Sequence, residues 1–319
     1  MAASTPTSLC ERFDGAWLCR SRPWTGHVAH CYRQAWVALP DDPEESWLTL
    51  LHSDRALTPA SLVLEGGLAP EQGLALRLDG RDLLFGDGRL MRLEGDGRSL
   101  MVSNHRLPVS KKALRSQLAL GDWPERSRAL APCRPATRHK RHYRDDCDTR
   151  KLDSFVKNAP TQVPLVQGGL GDTLSDELAT RFAALLAELG AGLPLLHMKR
   201  LAGLGPGSTP SGDDMLVGVS AALRRLVDVG WRDHEQLRIW NAALLALPER
   251  TSTPTAMQML REAASGRFVD PLARAASWLA CEARADELTE QIRLLGALGA
   301  QSGEDMLAGL LGLAQGDCR

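Results

Sequence analysis

The sequence lacks a strong net charge and any long apolar run. Among its 319 residues, 38 Lys and Arg side chains face 39 Asp and Glu side chains, and the formal charge is -1. With this balance the protein has no strong electrostatic field that would attract nucleic acid or an anionic membrane. No apolar run approaches the roughly 20 residues that a membrane-spanning helix needs, and no basic start precedes an apolar core. We therefore expect a cytoplasmic protein that binds neither nucleic acid nor membranes.

The common cofactor motifs are missing as well. The seven cysteines are scattered and form no Cys-x-x-Cys pair, so the spacing for structural zinc or thioredoxin chemistry is absent, and we expect reduced thiols. A P-loop would place Lys after the last glycine of the motif, whereas Gly212 is followed by Asp213 and Asp214. No clear strand precedes these glycines, as a dinucleotide site would require. We expect neither ATP nor NAD, and no cofactor.

The hydrophobic pattern changes along the chain. From residue 17 to residue 103 it alternates, with Asp-Gly pairs that accept the positive φ of tight hairpins. From residue 174 onward it has the helical period. The pattern predicts an α+β protein, with a β-rich barrel or sandwich in residues 1–107, a crossing segment or linker in 108–163, and a predominantly helical domain in 164–319.

The individual elements follow from the same periods. The predicted strands are 27–39, 47–52, 61–65, 74–78, 82–85 and 90–93, with hairpin turns at Asp79-Gly80, Asp87-Gly88 and Asp96-Gly97. The predicted helices are 175–189, 235–247, 256–264, 271–285 and 287–298, and two more that begin at Ser211 and Ser302. A basic stretch at 134–150 is consistent with a solvated linker or with docking of an anion.

The most informative motif is GLGPGSTPSGDD at residues 203–214. Glycines and prolines fix its backbone, hydroxyl side chains supply donors, and two acids stand where a helix begins. Glycines of this kind can turn several backbone N–H groups towards one point, and at a helix N-terminus such an arrangement binds phosphate or carboxylate. The predicted anion-binding residues of this motif are Gly205, Gly207, Ser208, Thr209, Ser211 and Gly212.

The end of this motif returns as SGEDMLAGL at residues 302–310. Ser, Gly, Asp, Met, Leu and Gly recur in register, and Gly218 and Gly309 occupy matching positions inside the two helices. Each helical glycine costs about 1 kcal/mol relative to Ala, which indicates close helix packing or close ligand approach. We predict that the helices beginning at Ser211 and Ser302 pack against each other or around a pseudo-twofold axis.

Two alternatives remain open for the acidic positions. Ser211 with Asp214, and Ser302 with Asp305, have the spacing of helix-capping boxes. Asp213 and Asp214 together also supply oxygen ligands for Mg²⁺, although two adjacent acids are a weak metal signal.

A second loop, at residues 250–255, joins an arginine to a cluster of hydroxyls. A guanidinium offers a planar charged fork, and hydroxyls complete the coordination of a carboxylate, phosphate or carbamoyl group. Thr253-Pro254 is equally typical of a plain helix start. Because the acidic pair makes a cation necessary, we expect this loop and residues 203–214 to converge on one cleft. The candidate anion ligands here are Arg250, Thr251 and Ser252.

The three motifs at residues 203–218, 250–252 and 302–309 resemble those of the AllH-like family. The resemblance implies a subunit of the oxamate carbamoyltransferase of allantoin (purine) catabolism, which works with FdrA-like and AllG-like subunits. It implies transfer of a carbamoyl group between an oxamate nitrogen and phosphate. The family commonly carries Gly-His-Thr-Ser where this chain has Gly299-Ala-Gln-Ser302.

The resemblance also implies roles for the candidate residues. The two loops would bind phosphate and the oxamate carboxylate, and Asp213 or Asp214 would orient the amide nitrogen or accept its proton. Ser302 and Asp305 would complete the substrate site. Two other classes stay open: a non-catalytic scaffold subunit of a multi-subunit enzyme, and a stand-alone acyl or carboxyl transferase that uses a metal.

Overall fold

The computed structural model describes residues 8–10, 12–64, 69–95, 97–102, 110–120, 170–192, 195–279 and 285–317. A curled β-sheet comes first and a helical region follows, as the change of period predicted. The strands are β1 (Ser8–Cys10), β2 (Trp24–Cys31), β3 (Ala35–Pro40), β4 (Leu48–His52), β5 (Ser61–Leu64), β6 (Ala75–Asp79), β7 (Asp82–Phe85) and β8 (Leu90–Leu93).

The sheet curls towards closure. Its strand order is β1-β8-β7-β6-β2-β3-β4-β5, with β1 parallel to β8 at one edge. Phe13, just after β1, forms a bridge to Leu62 of β5 at the opposite edge. The enclosed side is filled by large apolar residues such as Trp24 and Phe85, which are 1% exposed. Burial of this apolar surface stabilises the curled form.

The observed turns show that one predicted strand is wrong and that two of the predicted hairpin turns are correct. Residues 27–39 are not a single strand: the chain reverses after Cys31, and β2 and β3 pair antiparallel. Gly80 (φ 58°) and Gly88 (φ 91°) adopt the positive φ that the Asp-Gly pairs predicted, and they connect β6 to β7 and β7 to β8. Asp96 of the third pair lies outside the described residues.

The helical region contains most of the remaining described residues. Its helices are α1 (Lys111–Leu120), α2 (Leu170–Gly190), α3 (Met198–Leu201), α4 (Ser211–Asp228), α5 (His234–Leu245), α6 (Pro254–Ala264), α7 (Asp270–Trp278), α8 (Ala285–Gly296) and α9 (Ser302–Asp317). The helix predicted from residue 175 begins earlier, at Leu170. In the part of the chain that is described, no helix is long and apolar enough to cross a membrane.

Helices α4 and α9 begin at Ser211 and Ser302, as predicted, and cross each other at their glycines. A Cβ on Gly218 would lie 2.0 Å from the carbonyl oxygen of Met306, and a Cβ on Gly309 would lie 2.1 Å from that of Met215. Met215 matches Met306 in the repeat, so the two contacts are reciprocal, as a local twofold axis requires. The glycines are there because the two backbones touch.

A buried ion-pair network joins the sheet to the helices. Arg267, between α6 and α7, contacts the carboxylates of Asp14 and Glu262, and its Nη1 lies 3.1 Å from Glu262 Oε2. Nearby, the backbone N–H of Phe268 donates to the carbonyl of Leu100 at 2.8 Å. The division at 1–107, 108–163 and 164–319 stays a prediction, and the basic stretch at 134–150 lies outside the described residues.

Candidate functional site

The loop at residues 203–214 is held in a conformation that suits glycine. Gly203, Gly205 and Gly207 have φ values of 75°, 128° and 95°, which other residues rarely adopt. A Cβ on Gly203 would lie 2.1 Å from the carbonyl oxygen of Thr251, so this loop runs directly against the loop at 250–255. The two loops therefore touch, and their convergence on one anion-binding cleft stays a prediction.

Asp213 fastens these two loops together. Its carboxylate accepts the N–H of Gly203 at 3.1 and 3.2 Å and the hydroxyl of Ser252 at 2.5 Å. Burial raises the pKa of Asp213, and the bonds from Ser252 and Gly203 lower it in part. The Thr253 hydroxyl donates to the carbonyl of Ser208. Asp213 therefore serves as an internal acceptor between the loops.

The capping interpretation is wrong for Ser211. The N-cap of α4 is Pro210, no side chain caps the helix, and the N–H groups of Asp213 and Asp214 donate to the Pro210 carbonyl at 2.9 and 3.2 Å. The plain helix start at Thr253-Pro254 is confirmed, because the Thr253 hydroxyl caps α6. The acids of α4 are thus left for other roles.

The second motif approaches the first through one hydrogen bond. Thr209 Oγ1 and Ser302 Oγ lie 2.8 Å apart, which places the start of α9 against the loop that precedes α4. The first loop is longer than the second. Each loop is closed by one backbone hydrogen bond: Gly212 N–H donates to the Leu204 carbonyl at 2.8 Å, and Gly303 N–H donates to the Leu298 carbonyl at 3.1 Å. The first hydrogen bond encloses three more residues than the second.

Asp214 is a buried carboxyl group beside the hydroxyls of Ser302 and Thr209. Its side chain is 0% exposed, and among the described residues neither carboxyl oxygen has a partner within strict hydrogen-bond geometry. Burial raises its pKa well above the ordinary value. Weak hydrogen bonding from the hydroxyls of Ser302 and Thr209 lowers that pKa in part, whereas the negative charges of Asp305 and Asp213 raise it further. A buried acceptor with donors as weak as these is costly unless a ligand supplies a better donor.

A cavity of about 570 Å³ lies between the outer face of the sheet and the helical region. Its volume falls within the usual range of small-molecule sites. Seven of the predicted residues line it, from both motifs: Gly207, Ser208, Thr209, Ser211, Asp214, Ser302 and Asp305. Six other predicted residues are not part of its lining: Gly205, Gly212, Asp213, Arg250, Thr251 and Ser252.

The arginine side chains that line the cavity were not predicted from the sequence. Arg250 is exposed and outside the cavity lining, whereas Arg55 and Arg267 line it. Arg267 already contacts two carboxylates, but the guanidinium of Arg55 hydrogen-bonds to a neutral group, the Gln34 amide oxygen, at 3.1 Å. Arg55 lies in a turn after β4 and belongs to no motif, so only the fold reveals it.

Backbone donors are also present at the cavity, although not at the helix start. The first N–H groups of α4 donate within the protein, as does Gly212 N–H. By contrast, the N–H groups of Gly207, Ser208 and Thr209 have no acceptor in the described parts of the chain. These three N–H groups and the guanidinium of Arg55 are the candidate hydrogen-bond donors for an anion. Across residues that the structure describes, no group of three or more His, Cys, Asp or Glu side chains is arranged to hold a metal ion.

Residues 201–314 match the family model described as oxamate carbamoyltransferase subunit AllH. The matched segment contains α4, α6, most of α9 and both motif loops, so this part of the chain is AllH-like, as the motifs predicted. No match was found among curated proteins or among solved structures. The curled sheet, which supplies Arg55 and one wall of the cavity, lies outside the matched segment.

Proposed function

We propose that the chain is a subunit of a carbamoyltransferase that moves a carbamoyl group between the nitrogen of oxamate and phosphate, in the nitrogen catabolism of allantoin. The AllH-like segment supports this proposal, because the family's description names such a subunit. FdrA-like and AllG-like chains are the proposed partner subunits. The substrate pairs are N-carbamoyl oxamate with phosphate, and oxamate with carbamoyl phosphate.

One observation carries the proposal: a single cavity offers donors and acceptors to the same ligand. Arg55 and the N–H groups of Gly207, Ser208 and Thr209 are suited to a carboxylate or a phosphate, while the carboxyl group of Asp214 is suited to an N–H donor. Oxamate carries both kinds of group, a carboxylate next to a primary amide. An apolar or purely anionic ligand would leave part of this wall unpaired.

The reaction assigns distinct tasks to these groups. The oxamate nitrogen attacks the carbamoyl carbon, the bond from that carbon to the phosphate oxygen breaks, phosphate leaves, and the nitrogen loses one proton. Asp214 is the proposed acceptor of that proton, since burial raises its pKa well above the ordinary value and makes its carboxylate a stronger base than an ordinary aspartate. The neighbouring Asp213 is engaged between the loops and has a positioning role.

The test compares two arginines. Arg55→Gln is expected to weaken oxamate binding at least tenfold, because a charge-assisted hydrogen bond contributes about 1.5–3 kcal/mol. Arg250→Gln tests the cation that the sequence indicated, and its exposed position predicts unchanged affinity. Binding is measured by isothermal titration, and turnover by release of oxamate from N-carbamoyl oxamate and phosphate in the complex with its co-purified subunits.

Two results would count against the proposal. Loss of binding in the Arg250 variant with full binding in the Arg55 variant would move the anion site out of the cavity. Absence of phosphate-dependent oxamate release from a complex that contains all subunits would reject the carbamoyltransferase function itself.

A further inference from the structure

The outer face of the sheet carries apolar side chains where it borders the cavity. Strands β3 and β4 pair antiparallel, and cross-strand partners share one face of a sheet. The pairs that line the cavity are Ala35 with Leu51 and Val37 with Thr49. The intervening Trp36 belongs to the enclosed core on the other face. The sheet therefore presents a second, mostly apolar surface to the cavity.

The helical side of the cavity is apolar as well. Met259 of α6, Val269 just before α7 and Leu298 just before α9 all line it. The aromatic rings of Trp47 and Tyr32 also belong to the lining, and Tyr32 is 53% exposed. An apolar group between these walls would be removed from water, which is favourable. The walls thus select for an apolar group in the ligand.

The cavity is large for oxamate. Its volume of about 570 Å³ is typical of sites that enclose drug-sized molecules, whereas oxamate consists of one carboxylate and one amide. Arg55 and the N–H groups of Gly207, Ser208 and Thr209 can bind such a head group. Oxamate alone would leave the apolar walls without a partner. The donors and the walls together suit a ligand with an anionic head and an apolar body.

We propose that the substrate is a substituted oxamate, in which the nitrogen carries an apolar group about the size of a phenyl ring. The carboxylate binds at Arg55, and the apolar group lies between the outer face of β3 and β4 and the side chain of Met259. A nitrogen with one substituent keeps one hydrogen, which is the proton that carbamoyl transfer releases. This inference rests on the proposed function and deepens it, because it narrows the substrate class from oxamate itself to oxamates with an apolar substituent.

The inference predicts an order of affinities for the unmodified full-length chain. By isothermal titration, N-phenyloxamate should bind at least tenfold more tightly than oxamate, because burial removes the ring from water. N-propyloxamate and N-(2-hydroxyethyl)oxamate are a matched pair of nearly equal size, and the propyl compound should bind at least threefold more tightly. This pair separates apolar character from length and does not depend on the folding of a variant.

Substitutions then assign the preference to the walls. Val37→Thr and Met259→Gln replace apolar atoms with polar ones at nearly constant size, so the double variant should prefer N-phenyloxamate over oxamate by threefold or less. Arg55→Gln should weaken both ligands by the same factor, since they share the carboxylate. Leu84→Thr is the matched control, because Leu84 is 45% exposed on β7 and outside the cavity lining, and the preference should stay unchanged.

Some outcomes separate this inference from the proposed function. Equal binding of oxamate and N-phenyloxamate, binding of neither by the chain or its complex, or a preference that the double variant retains overturns the inference even if the complex releases oxamate in a phosphate-dependent reaction. A preference of the isolated chain that is lost in the complex overturns it in favour of a partner segment on the apolar walls. A preference that depends on the walls, in a complex without phosphate-dependent turnover, supports the inference and rejects the function.

Discussion

Asp213 and Asp214 are adjacent acids with different environments. Asp213 accepts hydrogen bonds from Gly203 and Ser252, whereas Asp214 has only weak donors beside it, the hydroxyls of Ser302 and Thr209. Burial raises the pKa of both, and the rise is the larger one at Asp214. A carboxyl whose pKa is raised by folding stabilises the protein below the unfolded pKa, and that contribution is lost as the pH rises through the folded pKa.

Asp214→Asn should therefore stabilise the ligand-free protein, and more so at high pH. The amide carries no charge to desolvate, so the free energy of unfolding should rise by about 1–3 kcal/mol at pH 8, which is the usual penalty of an unsatisfied buried group. Near pH 4, where the native carboxyl is already protonated, the gain should vanish. Urea titrations at the two pH values measure the difference.

Asp79→Asn is the control, because this carboxylate is 58% exposed and pairs with Arg77 at the surface. Its effect should stay below about 1 kcal/mol at either pH. A destabilised Asp214→Asn variant at pH 8 would mean that the native carboxylate has a stabilising partner.

Individual site residues were predictable only where a motif held them. Thr209, Ser211 and Asp214 lie in or next to a loop whose glycines and prolines indicate an unusual backbone conformation. All three residues line the cavity. Arg250 was a natural choice of cation from its hydroxyl neighbours, yet it is exposed outside the cavity. Arg55 had no such neighbours, and its place in the wall depends on how the sheet meets the helices.

At the scale of elements, the repeat predicted more than the propensities did. The helix starts at Ser211 and Ser302 and their mutual packing followed from matching positions, because a recurring apolar stripe has to be buried against something. The strand predicted at 27–39 failed because its apolar alternation continues through a reversal after Cys31 that contains neither glycine nor proline. Nothing in the local pattern indicated that turn.

The helix crossing gives a second stability prediction. Gly218→Ala and Gly309→Ala should each lower the free energy of unfolding by about 1–3 kcal/mol, since the added methyl group would overlap a backbone carbonyl that cannot move aside. This loss opposes and exceeds the roughly 1 kcal/mol by which Ala is favoured in a helix. Thermal or urea unfolding measures the change.

Gly316→Ala provides the matched control on α9. A Cβ there meets nothing within 4 Å and the residue is exposed, so the variant should be neutral or more stable by up to about 1 kcal/mol. Equal effects at Gly309 and Gly316 would show that the helices do not touch at the crossing.

At the scale of the whole molecule, the cavity exists because the sheet and the helices are fastened together. Asp14 is 2% exposed, accepts the N–H of Ala60 at 2.7 Å and contacts Arg267, so one carboxylate links the sheet to the segment after α6. Glu262 contacts the same guanidinium, and burial raises its pKa while Arg267 lowers it. The walls of the cavity follow from this junction.

Asp14→Ala should lower the free energy of unfolding by about 3 kcal/mol or more, because it leaves Arg267 and a buried N–H without their acceptor. Asp82→Ala, which removes a half-exposed ion pair with Arg92 on the sheet, should cost no more than about 1 kcal/mol. Urea unfolding compares the stability of the two variants, and isothermal titration with oxamate measures whether each variant still binds a ligand in the cavity. Similar losses in both variants would contradict a special role for the junction.

The local twofold axis and the unequal loops have a joint consequence for how a ligand enters. A ligand held between two identical loops could sit in either of two orientations with the same contacts. The three additional residues of the first loop remove that equivalence, because the two loops then present different residues to the cavity. The duplication would thus shape the cavity from two sides, and the insertion would fix a single orientation for whatever the cavity binds.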